Sequence, residues 1–313
     1  MFVNDVSTLR VVVVAMSKED RSSLMTIARK NARDKAVPTN INSRTRVIAV
    51  GSGKGGVGKS TISTNLAVGL EGLGFTTGLL DADIWGFSIP RLLGIEGRLE
   101  ANKDKKIVPF KKGGLEVVST GLITDDEDTA LMWRGLMLSK ALEQFLFDVE
   151  WGNLDYLVID MPPGTGDIQM ALGRLLPQTE LVVVTTPQSS AQKVATRVAD
   201  MAKRSFIPLL GVVENMSYFE SVDGNKYNIF GEGGGNDLSK KFGIPLLNKI
   251  PISEDSIEEA ENGTPILLQE KETPTKKAMQ DLVNTIIKIL PPVSDETCTG
   301  RLAKVLEELE VEV

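Results

Sequence analysis

The sequence contains no histidine, and its 313 residues include a single cysteine, Cys298. Without histidine, the chain has no imidazole for acid–base catalysis and no ordinary zinc site. One cysteine excludes an intrachain disulfide, which is typical of a protein from a reducing compartment. Metal chemistry is therefore left to oxygen ligands, which favour Mg²⁺.

The sequence also lacks long apolar runs and an excess of basic residues. No stretch approaches the ~18 apolar residues of a membrane-spanning helix, and the apolar run at 11–16 is too short for a signal peptide. The net charge of −7 and the pI near 5.0 give no overall field that attracts nucleic acid or an anionic membrane. We therefore expect a cytoplasmic protein without nucleic-acid or membrane partners.

What the sequence does contain is a phosphate-binding loop (P-loop), Gly51-Ser-Gly-Lys-Gly-Gly-Val-Gly-Lys-Ser-Thr61. From Gly53 it fits the pattern G-x-x-x-x-G-K-[ST]. In this pattern backbone N–H groups surround the phosphates, Lys59 contacts the β- and γ-phosphates, and the Ser60 hydroxyl ligates Mg²⁺. The predicted nucleotide-binding residues are Gly53, Lys54, Gly55, Gly56, Val57, Gly58, Lys59, Ser60 and Thr61.

From residue 44 onward, strand-like and helix-like segments alternate, which predicts an α/β fold with a parallel sheet covered by helices on both faces. The predicted strands lie at 46–50, 77–81, 114–120, 156–160, 181–185, 209–213 and within 245–252. The predicted helices include 61–70, 188–205 and 276–290. We predict a P-loop ATPase domain at 44–292, a short strand–helix segment and linker at 1–43, and an acidic helical tail at 293–313.

Acidic residues follow two predicted strands at the sheet edge where ligands of open α/β folds bind. Asp81 and Asp83 follow one strand, and Asp160 ends another and leads into Met161-Pro-Pro-Gly-Thr-Gly-Asp167. This second pattern is typical of a Walker B carboxylate followed by a switch loop. We assign Asp83 to orienting the attacking water, and Asp81, Asp160 and Ser60 to Mg²⁺. A helix N-cap is the alternative role for either Asp81 or Asp83.

Lys54, in Lys54-Gly-Gly-Val-Gly-Lys-Ser60, makes the loop resemble the deviant P-loop of the MinD/ParA/nitrogenase-iron-protein class. The chain from about 44 to 290 resembles the Mrp/ApbC-type iron–sulfur cluster carrier ATPases of this superfamily. The segments that carry the resemblance, in order, are the P-loop, Asp81-Ala-Asp-Ile-Trp-Gly-Phe-Ser-Ile-Pro90, Trp133-Arg-Gly-Leu-Met137, Asp160-Met-Pro-Pro-Gly-Thr-Gly-Asp167, Thr185-Thr-Pro-Gln188, Val213-Glu-Asn-Met-Ser217 and Phe230-Gly-Glu-Gly-Gly-Gly235.

The resemblance implies an ATP- and Mg²⁺-dependent homodimer that serves apo-protein clients or a cluster assembly scaffold. It gives Lys54 a catalytic role in trans, on the partner's nucleotide, beside Lys59 and Asp83. It also implies that Asn215 recognises the adenine and that the loop beginning at Pro251 closes over the base. For Asn215, a plain strand-end residue is the alternative.

One departure concerns the cluster. Most members of the family carry a Cys-x-x-Cys pair just after the Asn-Met-Ser segment, and this pair ligates the cluster. Here the stretch reads Tyr218-Phe-Glu-Ser-Val-Asp-Gly-Asn-Lys-Tyr227, without cysteine. A dimer would bring two Cys298 thiolates, whereas a four-iron cluster usually takes four. Cluster ligation therefore stays open, and we expect the isolated protein to retain little cluster.

Two rival classes remain. A MinD-type or ParA-type positioning ATPase needs a basic membrane helix or a basic DNA face, whereas the 300–313 segment is acidic. The stronger alternative is an ATP-switched assembly or chaperone protein that binds protein clients without a cluster.

Overall fold

The computed structural model describes residues 39–83, 86–123, 135–164, 166–221, 223–253, 260 and 262–293, with backbone only at 135–138. The sequence predictions for 1–38, Trp85, Trp133, Cys298 and the 300–313 helix lie outside these residues.

Twelve strands and seven α-helices are found in the described part of the chain. The strands are β1 Arg46–Ser52, β2 Thr77–Asp81, β3 Glu100–Ala101, β4 Ile107–Val108, β5 Phe110–Lys112, β6 Leu115–Ser119, β7 Tyr156–Asp160, β8 Thr179–Thr185, β9 Leu209–Glu214, β10 Phe219–Glu220, β11 Lys226–Tyr227 and β12 Leu246–Lys249. The helices are α1 Lys59–Gly72, α2 Ile89–Leu92, α3 Gly135–Phe147, α4 Gly166–Leu175, α5 Ser189–Arg204, α6 Gly234–Phe242 and α7 Pro274–Ile289, with short 3₁₀ turns at Thr120–Leu122 and Ile266–Leu268.

Eight strands form one sheet in the order β12-β9-β8-β1-β7-β2-β6-β5. All neighbouring strands pair in parallel except β5, which runs antiparallel to β6 at the edge. The chain adds strands on one side of β1 first and on the other side later, so the strand order reverses direction at β1. Because β1, β7 and β2 are neighbouring parallel strands, the loops that follow them leave the same edge of the sheet side by side. Such an edge is where open α/β sheets bind ligands.

The sheet is buried on both faces because its central strands are near-continuous apolar runs. One face packs against α3, α4, α5 and α6, and the other against α1 and α7. Five strand residues that illustrate this are fully buried: Val47, Ile48, Leu80, Val158 and Val183. This two-layered core confirms the predicted fold class.

The predicted linker is tied to the domain at its end. Asn40 donates its side-chain amide to the Phe147 carbonyl at 2.6 Å, at the end of α3. Ile41 is 7% exposed and belongs to the core. The described end of the predicted polar linker thus contacts the domain, where Asn40 satisfies a carbonyl at the C-terminus of α3.

No helix in the described ranges is both long and apolar enough to cross a lipid bilayer.

Candidate nucleotide site

The P-loop joins β1 to α1 at the centre of the sheet. Gly58, the residue before α1, has φ 79°, which favours glycine. A Cβ at this position would also collide with the side-chain amide of Asn215. Asn215 itself is buried and donates from Nδ2 to the Val57 carbonyl at 2.9 Å. The loop therefore takes its shape partly from a residue at the end of β9.

Asp160, at the end of β7, holds three residues of the first turns of α1. Its Oδ1 lies 2.8 Å from Lys59 Nζ and accepts from Ser63 Oγ at 2.7 Å. Its Oδ2 accepts from Ser60 Oγ at 2.6 Å. Asp160 has no exposed surface, and such a buried carboxylate needs this cation and these donors to offset its desolvation.

Asp81 lies beside Asp160, because β2 and β7 pair in register at these two residues. Asp81 Oδ2 accepts from Ser119 Oγ at 2.9 Å, and Oδ1 accepts from the Asp83 backbone N–H at 3.1 Å. Burial, followed by the Asp160 charge, raises the pKa of Asp81 to about 8. The buried site therefore favours the protonated form of the Asp81 carboxyl.

Asp83 reaches the same cluster from the loop after β2. Its Oδ2 lies 3.8 Å from Lys59 Nζ, and the residue is 9% exposed. Asp83 lines a cavity of about 390 Å³ together with the P-loop. The structure thus brings Lys59, Ser60, Asp83 and Asp160 together, with Asp81 beneath them.

Lys54 lines the same cavity from the other side of the loop. Its ammonium donates to Gln188 Oε1 at 3.2 Å, just before α5 begins. The position of Lys54 is therefore set by the Thr185-Thr-Pro-Gln188 segment of the same chain.

A second cavity, of about 350 Å³, adjoins the first and is mainly apolar. The two cavities share Gly58 and Thr61 as lining residues. The second is further lined by Asn215, Met216, Phe230, Ile250, Pro251, Ile252, Ser253, Ile266, Thr275 and Met279. A polar cavity at the P-loop joined to an apolar one with a side-chain amide suits a phosphate chain and a base.

The donor set at Asp160 fits Mg²⁺. Within the residues that the structure describes, no group of three or more His, Cys, Asp or Glu is placed to hold a metal ion. Mg²⁺ usually takes one or two protein oxygens and completes its shell with water and phosphate oxygens. The Ser60 hydroxyl and the Asp160 carboxylate, 2.6 Å apart, supply such a pair. Asp81, the third predicted ligand, pairs in register with Asp160 and stays a prediction for the Mg²⁺ shell.

Sequence reasoning missed several residues of this site. Ser63 lies three residues after Ser60, so helical spacing alone places it on the same face. Gln188 is predicted only as the end of the Thr185-Thr-Pro-Gln188 segment and the start of the 188–205 helix, without a role at the site. Ser88 and Arg91 line the phosphate cavity from the segment leading into and through α2. Ser88 belongs to the Asp81–Pro90 segment of the family resemblance, without a predicted role, whereas Arg91 lies just beyond that segment.

Comparison with known proteins decides the family. Residues 43–287 match the profile of the ParA family described as the NUBPL iron-transfer P-loop NTPases. The chain belongs to this family. Relatives named iron-sulfur cluster carrier protein include one from Aquifex aeolicus, 44% identical over 246 residues, which cover 78% of this chain and 68% of the relative. Another from Bacillus subtilis is 42% identical over 227 residues, covering 72% and 64%.

Solved structures agree with a NUBPL-type P-loop NTPase. A nucleotide-binding protein from Archaeoglobus fulgidus in complex with ADP is 35% identical, with a TM-score of 0.60, covering 75% of this chain and 90% of that one. MinD from Pyrococcus horikoshii with Mg-ADP is 21% identical, with a TM-score of 0.59, covering 79% and 98%, and supports the fold alone. The sequence-based resemblance to the MinD/ParA superfamily and its cluster carrier ATPases is confirmed.

Proposed function

We propose that this chain is an ATP-binding and ATP-hydrolysing homodimer that carries or assembles iron–sulfur clusters. The observation that carries the ATPase part is the position of Asp160, which contacts both Lys59 and Ser60 beneath the phosphate cavity. The carrier part is supported by the shared name of the relatives.

The nucleotide spans the two cavities that meet at Gly58 and Thr61. The phosphates lie against the P-loop glycines and the N-terminus of α1, where the helix dipole favours negative charge. The adenine enters the apolar cavity, where Asn215 recognises its polar edge and Pro251 covers one side. Asn215 keeps its Oδ1 and one N–H for this purpose, since a single N–H is used on Val57.

Hydrolysis needs a positioned water more than covalent chemistry by the protein. Bound Mg²⁺ would neutralise charge on the β- and γ-phosphates, held by Ser60 and Asp160. Lys59 contacts the same phosphates, and Asp83 orients the water from the cavity wall. Asp81 supports this arrangement by accepting the Asp83 backbone N–H and thereby fixing where the Asp83 carboxylate lies.

Lys54 acts in trans on the nucleotide of a second copy. Its ammonium lies in the phosphate cavity but bonds to a neutral amide oxygen, whereas Lys59 is paired to Asp160. The Lys54 ammonium can exchange the neutral Gln188 amide for a phosphate without leaving an unpaired charge behind. This difference supports separate tasks for the two lysines.

A cluster-free assembly protein is the second candidate, because the segment where the family carries its cysteine pair contains no cysteine in this chain. The β10–β11 hairpin carries Lys226 4.4 Å above the Tyr218 ring and 3.7 Å from Glu220. None of these side chains is a usual ligand of an iron–sulfur cluster. A cluster handled by this chain would then take ligands from the client.

Anaerobic incubation with iron and sulfide separates the candidates. The full chain, alone or with an apo-ferredoxin, is mixed with ATP·Mg²⁺, and cluster formation is followed by visible absorption. ATP-dependent transfer to the ferredoxin supports the carrier, whereas hydrolysis without transfer favours the second candidate. Any trace of cluster on the isolated chain should disappear in Cys298→Ser. Absence of ATP hydrolysis would overturn both.

A further inference from the structure

Met216 has a backbone conformation that is rare for its residue type. Its φ is 55°, and only two other non-glycine residues in the described ranges, Lys105 and Phe206, have positive φ. A side chain with a Cβ is strained in this region, and such strain clusters at ligand sites. Met216 lines the apolar cavity next to Asn215. Something in the surrounding structure must therefore hold it there.

The residues on either side of Met216 are held by hydrogen bonds to the last residues of β8 and β9 and to the residue after β12. Asn215 N donates to the Thr185 carbonyl at 2.8 Å, and Ser217 N donates to the Ile250 carbonyl at 2.9 Å. Ser217 Oγ also donates to Glu214 Oε1 at 2.6 Å, which closes a short bracket around Met216. The bracket consists of Glu214 and Ser217, and its two ends are three residues apart.

Glu214 is 1% exposed, so its carboxylate must be paired. Besides Ser217, it accepts from the Gly235 backbone N–H at 2.5 Å, in the first turn of α6, and lies 3.6 Å from Lys249 Nζ. A Cβ on Gly235 would lie 2.8 Å from Glu214 Cβ, so only glycine lets α6 approach this closely. Gly235, in the first turn of α6, thus lets the helix approach and pair Glu214.

We propose that the Glu214–Ser217 bracket is a positioning device that holds Met216 as one wall of the base cavity, and that Met216 thereby determines affinity for the adenine. The inference rests on the proposed nucleotide function and adds the residues that select the base. A flat, apolar purine face gains from contact with a polarizable thioether. A wall that is preformed costs no ordering upon binding.

The test compares a ligand that has a base with one that lacks it. In the full chain, Met216→Asn keeps the left-handed backbone, which asparagine tolerates, but removes the apolar wall. Met216→Gly removes the wall and the backbone strain. We expect each to weaken ATP binding about tenfold, from the apolar surface lost, while the affinity for inorganic tripolyphosphate stays unchanged.

Two further measurements separate a base-selecting wall from a purely structural residue. Met216→Gly should keep or raise the melting temperature, because it relieves the backbone strain. Its ATP affinity should nevertheless fall, because the apolar wall is lost. Ser217→Ala should weaken ATP binding in the wild type but add nothing in Met216→Gly, since it acts through Met216. Lys105→Gly, at a left-handed residue on the exposed β3–β4 connection, is the matched control and should leave both affinities unchanged.

An unchanged ratio of ATP to tripolyphosphate affinity in the Met216 variants would overturn the inference. This includes a parallel loss of both affinities, because the bracket would then support the whole site. If the wild type bound neither ligand, the proposed function itself would fail.

Discussion

The side-chain amide of Asn215 and the main-chain carbonyl of Val57 are joined by a hydrogen bond of 2.9 Å. This bond couples the base cavity to the P-loop, although 158 residues separate the two in sequence. We expect Asn215→Ala to weaken ATP binding by about 10-fold or more, because a contact to the base and a buried hydrogen bond to the P-loop are lost together. Unlike the Met216 variants, it should also weaken tripolyphosphate binding. Calorimetric titration with both ligands checks this, and an undiminished tripolyphosphate affinity would contradict the coupling.

Lys59→Ala should abolish nucleotide binding and also lower stability. The change removes the phosphate cation and leaves the buried carboxylate of Asp160 without its charge partner, which costs about 3–5 kcal/mol when the pair is buried. Nucleotide titration and thermal unfolding measure the two effects. Lys106→Ala is the control, because the side chains of the Lys106–Asp148 pair are 40% and 49% exposed, so no fully buried charge is left unpaired. Wild-type affinity in Lys59→Ala would refute the site.

Asp83→Asn should bind ATP·Mg²⁺ with near wild-type affinity and hydrolyse it about 10²–10⁴-fold more slowly, as expected for loss of a group that orients or deprotonates water. Asparagine keeps the size of the side chain and its backbone N–H, so the bond to Asp81 persists. A single-turnover assay separates chemistry from binding. If Asp83→Asn hydrolysed ATP as fast as the wild type, another residue would have to orient the attacking water.

Lys54→Ala should still bind ATP, because Lys59 supplies the main phosphate cation. Its ATP-dependent dimerisation and hydrolysis should be lost, since the lysine acts on the nucleotide of a second copy. Light scattering with and without ATP measures the mass of the particle. The role in trans fails if ATP leaves the mass of the wild type unchanged.

Stability should depend on pH through Asp81. Burial and the Asp160 charge raise the pKa of Asp81 from 3.8 to about 8 in the folded protein. Between these two pH values the folded state binds the extra proton, so the free energy of unfolding falls as pH rises. Asp81→Asn should flatten this part of the curve of melting temperature against pH. Asp148→Asn, at a half-exposed carboxylate, should retain the slope. If Asp81→Asn had the same slope as the wild type, another group would be responsible for the pH dependence.

The central strands and long helices were predictable because burial on two faces demands uninterrupted apolar runs. The predicted strand at 156–160 coincides with β7, and the helix at 188–205 differs from α5 by one residue at each end. The two-residue strands β3, β4, β10 and β11 were not predicted, since two residues carry no periodicity. The antiparallel β5 was missed for a similar reason.

The site was predictable where one motif held all the chemistry, as in the P-loop. Contacts that depend on strand register were not. The sequence predicts Asp81 and Asp160 at the same sheet edge, but it does not predict that they are direct neighbours, which follows from the pairing of β2 with β7. The same holds for Glu214 and Gly235, whose contact forms only once α6 packs against the end of β9.

The two outer strands of the sheet limit how copies of this chain associate. At one edge, β5 is three residues long and exposes Lys111 and Lys112. At the other, β12 has a register irregularity between Leu246 and Asn248. Edge strands that are short, charged or irregular pair poorly with a strand of another chain. Neither outer strand of the described eight-stranded sheet therefore favours a continuous intermolecular sheet with a second copy.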